Sequence, residues 1–327
     1  MANRIDVAYT NGVIAVREKQ LLKDKLFRLC ELPPEEAFRL LLESGFGGGA
    51  ETSTSVYDFE KLIAVEEEKL DAFIREYAPS KAESAYLLAP RDFHNAKALI
   101  KAAYLKEDAE KMLTGEGLVS LQLLRDCVQS GNFEALQSVC PALKTACEEG
   151  TALLEEERSG AKLGAIFEKA LYAYLKNVVK FKSVLKKLLS AKADMTNILT
   201  CVRAGEEETA KEMYLPAGRL TEKELSGIFN EDIQQVEKVF EKTPYAKFAK
   251  LCMEAKTKGL PLTQAEKMRD VHDGAYFFER KYALERTEPF LYYVYRRKAE
   301  CANVRIIFVC LLAGLSEQEI KLRIRAF

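Results

Sequence analysis

Apolar residues recur along this chain at spacings of three and four, the pattern of helices with one buried face. Leu171, Tyr174, Leu175, Val178, Phe181, Leu185 and Leu188 share one face of a helix predicted over 171–189, and Lys176, Lys180, Lys182, Lys186 and Lys187 interleave with them. The plain reading is a core helix with a solvated lysine face; the alternative is a basic amphipathic helix that touches acidic lipid. Helix starts are also legible. Thr221-Glu-Lys-Glu224 and Ser316-Glu-Gln-Glu319 are capping boxes, in which hydroxyl and carboxylate each satisfy an orphan backbone donor. Pro33 and Pro34 before Glu35 and Glu36 open another helix. No run alternates with period two for long enough to make a sheet, so the predicted class is all-α.

A repeat lies over this pattern. Asp92-Phe-His-Asn95, Asp194-Met-Thr-Asn197 and Glu300-Cys-Ala-Asn303 share the form acid-x-x-Asn, with the asparagines 102 and 106 residues apart. Each leads into an apolar helical stretch. Gly12, Gly117 and Gly218 each precede a Leu-rich segment at separations of 105 and 101, and Glu-Lys pairs at 60–61, 168–169 and 266–267 are read as helix openings. Three landmarks in one order at a period near 103 predict three related helical units, 1–110, 111–210 and 211–327. Length alone, at about 150 residues per domain, favours two. Tetratricopeptide-type solenoids repeat at about 34–47 residues, so the period argues against a generic helical-repeat scaffold.

Within the motif, acid and Asn sit at i and i+3 on one helix face. An acid early in a helix complements its dipole, and Asn offers two donors and an acceptor. The motif therefore reads as a polar clasp between neighbouring helices; the alternative is a pseudo-threefold polar ring facing a partner.

Charge removes several classes. Lys plus Arg number 49 against 50 Asp plus Glu, a net charge of -1, which gives no support to a nucleic-acid wrapper. The longest apolar run, Ile306 to Leu315, has ten residues, and a membrane span needs about 20. The first residues lack the apolar run of a signal peptide, so no targeting segment is expected. The eight cysteines contain no CxxC pair and read as small buried hydrophobes; a zinc site on Cys140 and Cys147 lacks partners, since His94 and His272 are the only histidines.

Catalytic signatures are sparse. Gly45-Phe-Gly-Gly-Gly49 has no Lys-Ser/Thr after it and no strand before it, so it reads as a flexible helix-to-helix loop running into Ala50–Ser55. The acidic runs Glu66–Glu68, Glu155–Glu157 and Glu206–Glu208 read as solvated faces. An all-α enzyme would need such acids to converge in a pocket. No catalytic, cofactor or metal residue is assigned, and no cofactor or small-molecule substrate is expected.

These residues resemble a known family. Tyr9-Thr10-Asn11-Gly12, Glu18 and Leu21-Leu22 are similar to the opening of the C subunit of the bacterial and archaeal vacuolar-type rotary ATPases, the relative of the eukaryotic vacuolar ATPase d subunit. Asp92 and Asn95 match its first-unit motif. Pro289, Tyr293, Glu300, Asn303, Arg305, Ile306, Gly314, Leu315, Glu319 and Ile320 match its closing signature. Val13 and Ala15 stand where the family opens with Arg, and the middle unit matches least outside Asp194 and Asn197. The resemblance implies a funnel of three helical units that carries no catalysis and lies, as a peripheral component, on the cytoplasmic side of the membrane. It implies partners too: the D and F subunits of the central shaft, and the membrane proteolipid ring that rotates for H⁺ or Na⁺ transport. Candidate interface residues are then the three acid-x-x-Asn pairs with Arg203, Arg296, Arg297 and Arg305.

Overall fold

The computed structural model describes residues 6–22, 24–51, 55–230, 233–283 and 285–325. Every regular element among them is a helix, so the fold is all-α. Pro34 stands at the first position of the helix Pro34–Glu43, with Glu35 and Glu36 in its first turn. Both predicted capping boxes form. Thr221 N–H donates to Glu224 Oε2 at 2.7 Å and Ser316 N–H to Glu319 Oε2 at 2.9 Å, while each hydroxyl accepts from the backbone of its partner glutamate. Replacing Ser316 with Ala removes one cap of the helix Glu317–Arg323 and is expected to cost about 1 kcal/mol, read as a lower urea midpoint.

The helix predicted over 171–189 is two helices. Gly160–Val178 ends, Ser183–Ala204 begins, and Val179–Lys182 form a turn between them. Val178 and Val179 are poor helix formers. Buried Val179 fixes the turn, and Lys182 N–H donates back to the Val179 carbonyl at 2.8 Å. The spacing Val178, Phe181, Leu185 continues the helical period across the break, so periodicity alone does not reveal it; Phe181, predicted on the buried face, lies in the turn and is exposed. The Glu-Lys pairs at 60–61 and 266–267 lie in first turns, but 168–169 lies in the middle of Gly160–Val178.

The chain divides into two compact units, Met1–Glu83 with Val271–Phe327, and Ser84–Asp270. A hydrophobic core of the first unit runs from Leu22 to Ile63 and from Cys301 to Ile324. The helices Phe59–Tyr77 and Glu288–Leu312 pack together in it, with Phe59 stacked on Phe308 at 5.4 Å and Phe38 edge-on to Phe308 at 6.0 Å. Helix Val7–Arg17 joins them through buried polar residues. Thr10 Oγ1 donates to the Tyr77 carbonyl at 3.2 Å and Asn11 Nδ2 to that of Arg286 at 3.3 Å. In the second unit one hydrophobic core runs from Phe93 to Phe167 and another from Ala191 to Ala265.

The glycine run is a built feature, not a slack loop. Gly47 has φ +64°, and a Cβ there would lie 2.5 Å from the Leu62 backbone. Its N–H donates to buried Glu66 Oε1 at 3.0 Å. Glycine is needed for both the left-handed backbone and the close helix approach. Residues 52–54, the rest of the predicted loop, lie outside the described residues. All eight cysteines are buried and unpaired, and burial pushes the Cys147 thiol up to about 12. No described helix is long and apolar enough to cross a membrane.

Candidate functional site

The three acid-x-x-Asn pairs lie in the middle of long helices, Lys81–Leu105, Ser183–Ala204 and Glu288–Leu312, and not at helix starts. The dipole argument therefore does not apply to them. Their side chains are buried and bind backbone of the same chain. Asp92 accepts from Leu118 N–H at 2.8 Å and Val119 N–H at 3.0 Å. Asn95 accepts from Thr114 N–H at 2.9 Å and donates to the Thr114 and Gly115 carbonyls at 3.4 Å. The second pair repeats this geometry. Asp194 Oδ1 accepts from Arg219 N–H at 2.7 Å and Leu220 N–H at 2.9 Å, and Asn197 exchanges two bonds with Leu215 at 2.8 and 3.3 Å.

Gly117 and Gly218 belong to these clasps. A Cβ on Gly117 would fall 2.2 Å from an Asp92 oxygen, and one on Gly218 2.5 Å from Asp194 Oδ1. Each glycine lets a returning segment come close enough for the carboxylate to reach two successive N–H groups. Gly12, aligned with them by the period, has nothing within 4 Å of such an atom and takes no part.

The third pair is closed differently. Asn303 exchanges two bonds with Arg325, both at 3.0 Å, 22 residues downstream. Glu300 instead accepts from Leu22 N–H at 2.5 Å, 278 residues upstream. The donor that takes the place of Leu118–Val119 and Arg219–Leu220 is thus Leu22, near the other end of the chain.

Electrostatics separate the sites further. Burial pushes the Asp194 carboxyl above its ordinary range, against the pull of the two backbone donors and the Tyr245 hydroxyl. The Glu300 carboxyl is also raised by burial, against the pull of Arg297. Arg297 lies 7% exposed between two buried acids, with Nη2 3.0 Å from Glu66 Oε2 and Nη1 paired with Glu300 Oε2. Burial alone would lower its guanidinium, but the two carboxylates outweigh that and hold it above its usual value.

The other candidate arginines lie elsewhere. Arg203 pairs with Glu266, Arg305 with Glu60 at 2.9 Å and Glu67 at 3.5 Å, and Arg296 lies over the Tyr292 ring at 5.8 Å. His94, beside the first motif, is exposed and meets the Met112 carbonyl at 2.9 Å.

Glu66 departs from the solvated face expected of Glu66–Glu68. Glu66 is 3% exposed and joins Gly47, Lys69 and Arg297. The signal was its register: Phe59, Leu62, Ile63, Glu66, Leu70, Phe73 and Ile74 form the buried stripe of one helix. The cleft beside this cluster has a volume of about 360 Å³, and cations line it: Arg17, Lys19, Lys69 and Arg297, with Glu66 as the acid. Arg17 lies over the Phe73 ring at 4.8 Å. This is the reverse of a convergent carboxylate pocket. Among the described residues, no group of three or more His, Cys, Asp or Glu is placed to hold a metal ion.

The family model of the ATP synthase (C/AC39) subunit matches residues 10–323, which takes in all three motif helices and the N-terminal segment that closes the third. The chain belongs to this family. It is similar to the C subunit of the V-type sodium ATPase of Enterococcus hirae, with 22% identity over 292 residues and 82% of each chain covered. As a V-type ATPase component of this kind, the chain is one part of an ion-transporting ATPase assembly. The clasps are then internal joints of such a part: each ties a long helix to a distant backbone segment.

Proposed function

We propose that this chain is a non-catalytic central-rotor component of a V-type ATPase or ATP synthase. It is a socket that receives the central shaft, made of the D and F subunits, and rests on the proteolipid ring. There it passes torque between them, so that ATP hydrolysis or synthesis is coupled to H⁺ or Na⁺ movement. It works at the cytoplasmic face as a peripheral component. Its three motif helices mark three related units, in a pseudo-threefold funnel whose candidate contact residues flank the clasps.

The observation that carries this reading is the family match across residues 10–323, which spans three helices each tied by a buried acid and Asn to distant backbone. A torque-bearing part needs long helices fixed against each other without slack. Buried, hydrogen-bonded polar joints supply that, because a shift of the helix by one residue would strand buried donors.

The test is coupling. Membranes that hold the complex without this chain should keep the ring and the hydrolytic head, yet ATP hydrolysis should no longer drive ion uptake. Adding the purified chain should restore uptake. Undiminished ATP-driven transport in its absence would overturn the reading.

A further inference from the structure

We propose that the turn at residues 179–182, centred on Lys180 and Phe181 and flanked by Lys186, docks on the anionic headgroup surface of a lipid bilayer. The first observation is charge. Residues 169–193 contain seven lysines and no Asp, Glu or Arg, in a chain whose net charge is -1. The second is the break between Gly160–Val178 and Ser183–Ala204, which presents an aromatic ring. Val179 is fully buried and anchors the turn, while Phe181 is 87% exposed. No other large apolar side chain among the described residues is more exposed.

Lys180, Lys186 and Lys187 are exposed near Phe181 in the chain, and the Lys180 ammonium lies 4.9 Å from the ring centroid. Lys176 donates to the Pro216 carbonyl at 2.9 Å and Lys192 lies over the Tyr86 ring at 5.6 Å, so Lys180, Phe181 and Lys186 carry the patch. An exposed Phe among lysines matches the chemistry of an interface between water and anionic lipid. The ring enters the boundary of headgroup and acyl chain, and the ammonium groups gain from the negative surface potential.

Residue choice favours lipid over an acidic protein. Protein interfaces enrich Arg and deplete Lys, and fixed carboxylates are best met by the planar fork of Arg. A lysine-only patch suits a diffuse, fluid field of charge. The inference is independent of the rotary reading, since it concerns the chain alone with lipid.

The test mixes the purified full-length chain with vesicles of equal parts phosphatidylserine and phosphatidylcholine, and with pure phosphatidylcholine vesicles, and measures co-sedimentation. Binding is expected to the first and not the second, and to weaken in high salt. The double variant Lys180→Gln, Lys186→Gln should lower the partition coefficient about thirtyfold, and Phe181→Ser about tenfold. Helical circular dichroism should be unchanged in each, which separates lost binding from lost fold. No binding to phosphatidylserine vesicles, equal binding to both kinds, or binding undiminished in the lysine variant would each overturn the proposal. So would variants that keep vesicle binding but fail to assemble with the rest of the complex, because the patch would then be a protein interface.

Discussion

Replacing Arg297 with Ala is expected to destabilise the chain by about 3–5 kcal/mol, the range for breaking a buried ion pair from one side. Glu66 and Glu300 are 3% and 4% exposed, and both face this one guanidinium. Removing it leaves two carboxylates buried near each other without their shared cation. The loss should shrink on acidification, and the sign is fixed by linkage. The Glu300 carboxyl is already raised by burial, and without Arg297 it rises further. A folded-state value above the unfolded one means that the folded chain binds more protons in the window between the two. Stability in that window therefore falls as pH rises and recovers as pH drops through the raised value. Urea unfolding at neutral and mildly acidic pH measures both effects. The triple variant Arg297→Met, Glu66→Gln, Glu300→Gln should recover part of the loss, since it removes the stranded charges and keeps acceptors for Leu22 and Gly47. A loss below about 1 kcal/mol, the value of an exposed pair, would mean that the triad is solvated in solution.

This triad also marks where sequence legibility stops. The capping boxes were readable because their partners lie three residues apart, and local chemistry fixes the outcome. The positions of Asp92, Asn95, Asp194, Asn197, Glu300 and Asn303 were readable as a repeat, and so were Gly117 and Gly218, whose lack of a Cβ has one geometric cause. What each motif binds was not readable, because the acceptors and donors belong to backbone 18 to 27 residues away whose path no side chain encodes. The third clasp was furthest from reach. Its carboxylate meets Leu22 across 278 residues, and Gly12, which the period aligns with Gly117 and Gly218, takes no part. Glu66 was hidden by its neighbours: three consecutive glutamates look alike in composition, and only helical phase distinguishes the buried one. The break at 179–182 was masked by spacing, since Phe181 falls where a continuous helix would bury it, yet the turn exposes it.

Asp194 allows the joint to be tested without ambiguity about charge. Both Arg219 N–H and Leu220 N–H donate to the same oxygen, Oδ1, and the Tyr245 hydroxyl lies against the carboxylate. Asp194→Ala removes the acceptor from two backbone donors at a fully buried side chain, and at about 1–3 kcal/mol per stranded group the expected loss is about 3 kcal/mol. Asp194→Asn keeps an oxygen where Oδ1 stands and can donate its amide to Tyr245, while it removes a charge whose burial is unfavourable. At neutral pH it should therefore lie within about 1 kcal/mol of the native chain. The two variants should part further with pH. The Asp194 carboxyl is raised above its ordinary value of 3.8, chiefly by burial. Native stability attributable to this group thus falls as pH rises through the raised value and is regained as pH drops towards the unfolded one. The Asn variant has no proton to bind there, so acidification should move the comparison in favour of the native chain. Paired urea titrations across mildly acidic pH measure this difference directly. If Asn proves as damaging as Ala at neutral pH, the ionised carboxylate itself holds the joint, and the helix is fixed to its returning segment by charge and not by shape and hydrogen bonding.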